Sequence, residues 1–218
     1  MKSKNKKLFI IATISIIICL MGIVYAKFNL NDHLTEKEIQ SLRETYPICG
    51  IVEPENLSIK EVTLEEYIRS ESIDSFVYGE VVGDISLYTK GLSTGYLELD
   101  EKFVDNGIGI EHDFYEYTVS VIKDTKNRYN EGDLITITAN ALFKDYNPTL
   151  TDGMKVVVPV LENDASIGRN WFHVIGMYYV TENGYAISAY DEKEALTRST
   201  LSGVKVESLL NELGNMIE

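Results

Sequence analysis

Residues 114–124 read FYEYTVSVIKD, and the period of that stretch decides the fold. Tyr115, Tyr117, Val119 and Val121 fall on one side of an extended chain, and Glu116, Thr118 and Ser120 on the other. A period of two in β-branched and aromatic residues marks a strand with one buried face. Downstream, residues 133–139 (DLITITA) set Leu134, Thr136 and Thr138 against Ile135 and Ile137. Residues 153–162 (GMKVVVPVLE) form a nearly continuous apolar strand in which Pro159 predicts an edge or a bulge. Residues 171–180 (WFHVIGMYYV) and 185–190 (YAISAY) flank Thr181-Glu182-Asn183-Gly184, and Asn-Gly is the strong hairpin signal. Upstream, residues 75–83 (SFVYGEVVG) are β-rich, with glycines where a strand can bend.

Helices frame these strands. Thr35-Glu36-Lys37-Glu38 and Thr63-Leu64-Glu65-Glu66 both match the capping box, in which a threonine hydroxyl and a glutamate three residues later satisfy each other's backbone amides. The first opens a short helix to about Glu44, ended by Pro47 and Gly50, that reads as a polar stalk or a docking helix. The second runs to about Ser70 with Leu64, Tyr67 and Ile68 on one face. At the C-terminus Val206, Leu209, Leu210, Leu213 and Ile217 recur at helical spacing, so residues 205–217 are expected to form an amphipathic helix. Strands without alternating helices exclude a doubly wound parallel sheet. The expected class is mainly β: a small OB-like antiparallel barrel, closed or partly open, with two short helices before it and one after. Residues 90–113, with Gly91, Gly95, Gly107 and Gly109, are the longest irregular span and include a candidate small hairpin through GYLELD.

The N-terminus speaks to location. Residues 8–26 (LFIIATISIIICLMGIVYA) carry no charge, and nineteen helical residues reach roughly 28 Å, close to the hydrocarbon thickness of a bilayer. Lys2, Lys4, Lys6 and Lys7 precede the run and place residues 27–218 outside the cytoplasm by the positive-inside rule. Three forms fit: an uncleaved transmembrane anchor, a signal peptide cut after Ala26, or a lipoprotein joined through Cys19, against which bulky Ile18 counts. The expected organisation is a basic cytoplasmic segment over 1–7, an anchor or signal helix over 8–26, a stalk with a short helix over 27–59, and an extracytoplasmic β domain over 60–218.

The chain has 218 residues and a net charge of −14. Four of its 20 basic residues lie before residue 27, leaving 16 against 34 acidic ones, a net of −18 for the exported part. So acidic a surface lacks the clustered cations that displace counterions from phosphate backbones, which excludes nucleic acid as a partner. With Cys19 in the apolar run, Cys49 is alone in the folded part; no internal disulfide is expected, and the thiol reads as a small buried hydrophobe.

The order of these segments resembles a class of exported Gram-positive bacterial domains. Those domains look like the OB-type barrel of the netrin and tissue-inhibitor-of-metalloprotease superfamily. The likeness spans roughly residues 60–190. It is carried by Gly79-Glu80-Val81 after a short helix, by Tyr117-Thr118-Val119, by Gly132-Asp133 with Ile135-Thr136-Ile137, and by Leu150-Thr151-Asp152-Gly153 before an apolar strand. The resemblance implies a barrel and an exported setting. It carries over no catalytic residue, and the cysteine framework of the animal members is absent.

Four patterns have the lettering of chemistry. Gly91-Leu92-Ser93-Thr94-Gly95 matches the nucleophile elbow of serine hydrolases, which needs a strand before it, a helix directly after it, and a late histidine. "YLELDEKFVDNG" after it is not that helix. His112 is too near in sequence, and His173 sits in a strand pattern between Phe172 and Val174. Glu111-His112-Asp113 with Asp105 could ligate a metal only if looped, because consecutive strand residues face opposite ways. Asp100-Glu101, Glu162 with Asp164, and Asp191-Glu192 are carboxylate pairs, but glycosidase-type catalysis needs a defined separation and a cleft, which spacing alone does not supply. Fourteen tyrosines offer stacking faces but suit strands for packing alone. No catalytic, cofactor-binding or metal-binding residue is assigned. The expected function is a non-enzymatic, membrane-anchored extracytoplasmic module that binds an extracellular protein, peptide or cell-wall ligand. Its expected contact surface is a groove over residues 115–122 and 133–139 with the 90–113 loop. Two other readings stand beside it: a serine hydrolase using Ser93, and an accessory subunit of a membrane complex.

Overall fold

The computed structural model describes residues 33–49, 62–70, 73–91, 101–102, 105–106, 111–141, 148–164, 169–172, 176–190, 197–198 and 201–217. The apolar run 8–26, Ser93, the GYLELD stretch, Gly107, Gly109, His173 and Asp191-Glu192 lie outside these residues. In chain order the described elements are α1 (Glu36–Leu42), β1 (Val62–Thr63), α2 (Leu64–Ser70), β2 (Ser75–Val81), β3 (Ser86–Gly91), β4 (Glu111–Asp124), β5 (Leu134–Asn140), β6 (Lys155–Asp164), β7 (Arg169–Phe172), β8 (Tyr178–Val180), β9 (Ala186–Ser188), β10 (Thr197–Arg198) and α3 (Val206–Met216). The protein is mainly β, with a few short helices.

β1 and β10 form a small parallel pair. The other eight strands share one sheet, in the order β2-β4-β5-β7-β6-β8-β9 with β3 beside β4, and β2 pairs with β6 as well as with β4. These pairings are antiparallel except β5–β7, where Ile137 lies beside Asn170 and Thr138 beside Trp171 in parallel. That parallel contact departs from the purely antiparallel expectation. It follows from the antiparallel pairings β2–β4, β4–β5, β2–β6 and β6–β7, which leave β5 and β7 running the same way. Residues 171–180 are not one strand: β7 ends at Phe172 and β8 begins at Tyr178, and Gly176 before β8 adopts φ +88°, a left-handed conformation that other residues avoid. The hairpin survives as β8–β9, closed by Gly184 at φ +76° with its N–H bonded to the Thr181 carbonyl at 2.8 Å.

Pro159 sits in neither an edge strand nor a bulge. β6 is central, paired along one side with β2 through Pro159 itself. On its other side Lys155–Val157 pair with β8, and Val160, Leu161 and Asp164 pair with β7. Pro159 falls where one neighbour hands over to the next. Phe76 opposite it bonds Thr125 through both its N–H (2.9 Å, to Oγ1) and its carbonyl (3.0 Å, from the Thr125 N–H), so it asks nothing of the proline. A missing donor is harmless at such a gap.

The sheet separates two hydrophobic clusters. The first gathers Val77 and Val81 from β2, Tyr117, Val119 and Val121 from β4, Ile135 and Ile137 from β5, Val156, Val158 and Val160 from β6, and Tyr179 from β8. The second gathers Phe76, Val157, Tyr178 and Val180 with Leu64 and Ile68 of α2 and Val206, Leu209, Leu210 and Leu213 of α3. β2, β6 and β8 therefore alternate between two cores, whereas β4 and β5 offer alternate residues to one. Both capping boxes form: Glu38 N donates to Thr35 Oγ1 and Thr35 N to Glu38 Oε2 at 2.7 Å, and Thr63 N donates to Glu66 Oε2 at 2.9 Å. The hydroxyl contact holds the Glu38 carboxyl below its ordinary range.

Residues 33–49 are docked, as the second reading of that segment had it. Leu34 N bonds Gly203 O at 2.8 Å, Cys49 N bonds Ala189 O at 2.8 Å, and Arg43 Nη1 donates to Ser188 O at 2.7 Å.

Candidate functional site

The expected contact surface begins with register. β2, β3 and β5 flank β4, and paired residues share a face. On the side of β4 away from the first cluster, one row runs Lys155, Glu80, Ser120, Leu134 across four strands. A second joins Thr118 to Thr136, with Val82 bonded alongside through its N–H to Thr118 O at 2.9 Å. A third runs Ser86, Glu116, Thr138. This outer face is rich in hydroxyls, carries the carboxylates Glu80 and Glu116, and holds two exposed apolar side chains, Leu134 (66% exposed) and Val82 (42%). Ser86 Oγ donates to Glu116 Oε2 at 3.2 Å.

Toward the far end of β4 the same side is buried. Phe114 and Thr138 have almost no exposure, and the Tyr88 ring of β3 packs on Phe114 with centroids 5.8 Å apart. Alternation in 133–139 placed Thr138 on the outer side but gave no sign that it would be covered. β3 also shortens the span expected to be irregular, and within it Glu101, Lys102 and Asp105 are helical, with Asn106 N bonded to Lys102 O at 3.1 Å. Lys90 and Gly91 pair with His112 and Glu111, so the connection runs over residues 92–110 and the 90–113 boundaries are drawn in by strand pairing. Glu111, His112 and Asp113 are consecutive strand residues, which sends neighbouring positions to opposite faces. Asp113 accepts from Thr89 Oγ1 at 2.6 Å. Gly91 ends β3 in open space without a positive φ. Among the described residues no group of three His, Cys, Asp or Glu side chains is placed to hold a metal ion, and no helix is long and apolar enough to cross a membrane.

A second feature is the cluster that residues 43–49 press against the first core. Cys49 is 7% exposed and sits among Tyr117, Tyr179 and Ala189. Tyr46 packs on Tyr179 with ring centroids 5.6 Å apart. Burial pushes the Cys49 thiol up to about 11, and the Tyr179 hydroxyl and the Arg43 charge only partly offset it. Burial likewise pushes Tyr117 up to about 12 and raises Tyr179 further. A thiol held protonated is a poor nucleophile. The cluster thus works as a polar-edged plug, in keeping with the buried lone cysteine the sequence suggests.

No family model, curated protein or solved structure matches this chain.

Proposed function

We propose that this chain is an extracytoplasmic binding module without catalytic activity, held at the membrane by residues 8–26 and built on an OB-type barrel of the netrin-like kind. Support for the barrel comes from the pairings: β2 to β4, β4 to β5, β5 to β7, β7 to β6, and β6 back to β2. Such a circuit of five strands is what an OB-type barrel requires. Support for the setting comes from the uncharged run and the four lysines before it.

The observation that carries the binding role is the outer face of β4 and β5. Its open part is hydroxyl-lined and marked by Leu134, an apolar residue two-thirds exposed beside Ser120. Such a face can grip an extended extracellular peptide or wall polymer through hydroxyls and two apolar contacts. A photo-crosslinking residue at position 134 of the full chain, in intact cells, tests it. A discrete adduct from position 134, absent from a control at exposed Glu207 on α3, is the expected result. Equal or no labelling at both positions overturns the assignment of this face. A serine-reactive phosphonate that labels the wild type and not Ser93→Ala would replace the binding module with a hydrolase.

A further inference from the structure

Where the turn after β4 meets α3 there is a pocket of about 350 Å³, on a part of the molecule distinct from the β4–β5 outer face. One wall is Lys123, Asp124, Thr125, Lys126 and Asn127; the other is Leu210, Asn211, Gly214 and Asn215 of α3. The volume lies at the lower end of the range for small-molecule sites.

The first wall is fixed in place. Asp124, 3% exposed, accepts backbone N–H groups from Lys126 (3.1 Å), Arg128 (2.7 Å) and Tyr129 (3.3 Å). Thr125 is tied to Phe76 through its N–H and its hydroxyl, at 3.0 and 2.9 Å. Asn127 stands at φ 53°, and among the described residues it is the only non-glycine with a positive φ. Asparagine tolerates that conformation better than most residues, yet it remains an unfavourable one.

The second wall contradicts what a helix wants. On its core side α3 uses Val206, Leu209, Leu210 and Leu213. On its pocket side it uses Asn211, Gly214 and Asn215, and glycine is the weakest helix former after proline. Nothing in the backbone demands Gly214. Its φ is not positive, and a Cβ there would meet Thr125 Cβ at 3.8 Å, an ordinary contact. Alanine would fit and would strengthen the helix. What glycine contributes is space in the pocket. A residue that weakens its own element where a better one fits is a mark of a functional site.

The chemistry of the lining names the ligand class. Two lysines stand together on a domain whose net charge is −18, which sets them apart as a local attraction for an anion. Asp124 is the acid among the lining residues, and three backbone N–H dipoles meet its oxygens. Glu207, one turn before Asn211 on α3, acts on Tyr78. Three asparagine amides supply donors and acceptors together, the combination that reads hydroxyl groups. We propose that this pocket binds a small hydroxylated anion: a monosaccharide-sized ligand bearing a carboxylate or a phosphate.

Titration of the full chain in detergent micelles with glucuronate, glucose 6-phosphate and glucose, followed by calorimetry, tests this. At least one anion is expected to bind at low salt with a Kd on the order of 1 mM, and glucose at least roughly tenfold more weakly. Which anion binds tells a carboxylate ligand from a phosphate one. Lys123→Gln with Lys126→Gln should weaken binding by roughly tenfold or more. Gly214→Ala should weaken binding while raising Tm by about 2–4 °C. Failure of both anions to bind at about 10 mM, glucose binding equally well, or Gly214→Ala leaving affinity unchanged would each overturn the proposal. So would a lowered Tm in Gly214→Ala, because glycine would then be a packing requirement.

Discussion

β6 and β4 are neighbours of β2 in the same sheet, yet their sequences obey different rules. Along β6, Val156, Val158 and Val160 enter the first cluster while Val157 enters the second, so the strand reads as a nearly continuous apolar run. β2 and β8 behave in the same way, with Val77 against Phe76 and Tyr179 against Tyr178. Along β4, Tyr117, Val119 and Val121 are buried and Thr118 and Ser120 lie on the other, partly open side. A wall buried on both faces must be apolar throughout, and a wall with one wet face must alternate. The two-sided wall is buried on both faces, and the one-sided wall keeps one face partly open.

The sharpest way to break the contrast is to attack the two-sided wall. Phe76 has no exposure, and Phe76→Ala should lose about 3–5 kcal/mol by denaturant unfolding. Leu213, equally buried on α3, should lose about 2–5 kcal/mol as alanine, reporting the helix side of the same cluster. Gly79 gives a different failure at the seam between the two walls. A Cβ there would press on Val119 Cγ1 and come within 2.6 Å of Ser120 O, beside the register shift between Tyr78 and Gly79. Because the obstacle includes backbone, Gly79→Ala should destabilise by about 1–3 kcal/mol although it adds one methyl group.

These contrasts also explain which parts of the fold were legible in the sequence. Clean alternation in 114–124 and the two capping boxes are local patterns with local causes, and the strand, helix and buried-face assignments they support match the structure. The single-strand expectation for 171–180 failed: β8 starts only at Tyr178, after Gly176 in a left-handed conformation, and nothing in "VIGMYY" separates that glycine from one inside a strand. Pro159 misled because its tolerance depends on which strands flank it along β6, a property of the sheet. The docking of residues 33–49 depends on partners at 188–189 and 203, far away in sequence. The outer face was partly legible, since alternation put Thr118 and Thr136 on it, but the burial of Thr138 is tertiary. The pocket beside α3 had a signal in Asn211, Gly214 and Asn215, three weak helix formers beside Leu210.

A titration reports on the plugged end of the first cluster. The folded protein keeps the Cys49 thiol protonated up to about pH 11, against an ordinary value of 9.0. Between those values the unfolded chain binds fewer protons than the folded one. Stability is therefore unaffected below the ordinary thiol value and falls as pH rises through that window, by about 2–3 kcal/mol at its upper end. Tyr117, pushed up to about 12, extends the loss in the same direction. Urea unfolding of wild type and Cys49→Ala across this window should show a shallower decline in the variant. An identical slope would mean the thiol is not buried against the plug.

The smallest expected effect sharpens the comparison most. Thr118 lies one residue from fully buried Val119, but on the side where β4 faces outward. If the outer face is held for recognition, Thr118→Lys should change stability by no more than about 0.5 kcal/mol. Val119→Lys would instead bury an unpaired ammonium among Val77, Ile135 and Val158, and should not yield a folded protein. In crosslinking from position 134, Thr118→Lys should nonetheless reduce the adduct, because Thr118 faces Thr136, diagonal to Leu134, and a long cation there would reach into the proposed contact surface. Unchanged melting with a weakened adduct assigns recognition to the one-sided wall. Unchanged melting with an unchanged adduct removes Thr118 from the contact surface, while a large loss of stability shows that the outer face is a packed surface after all.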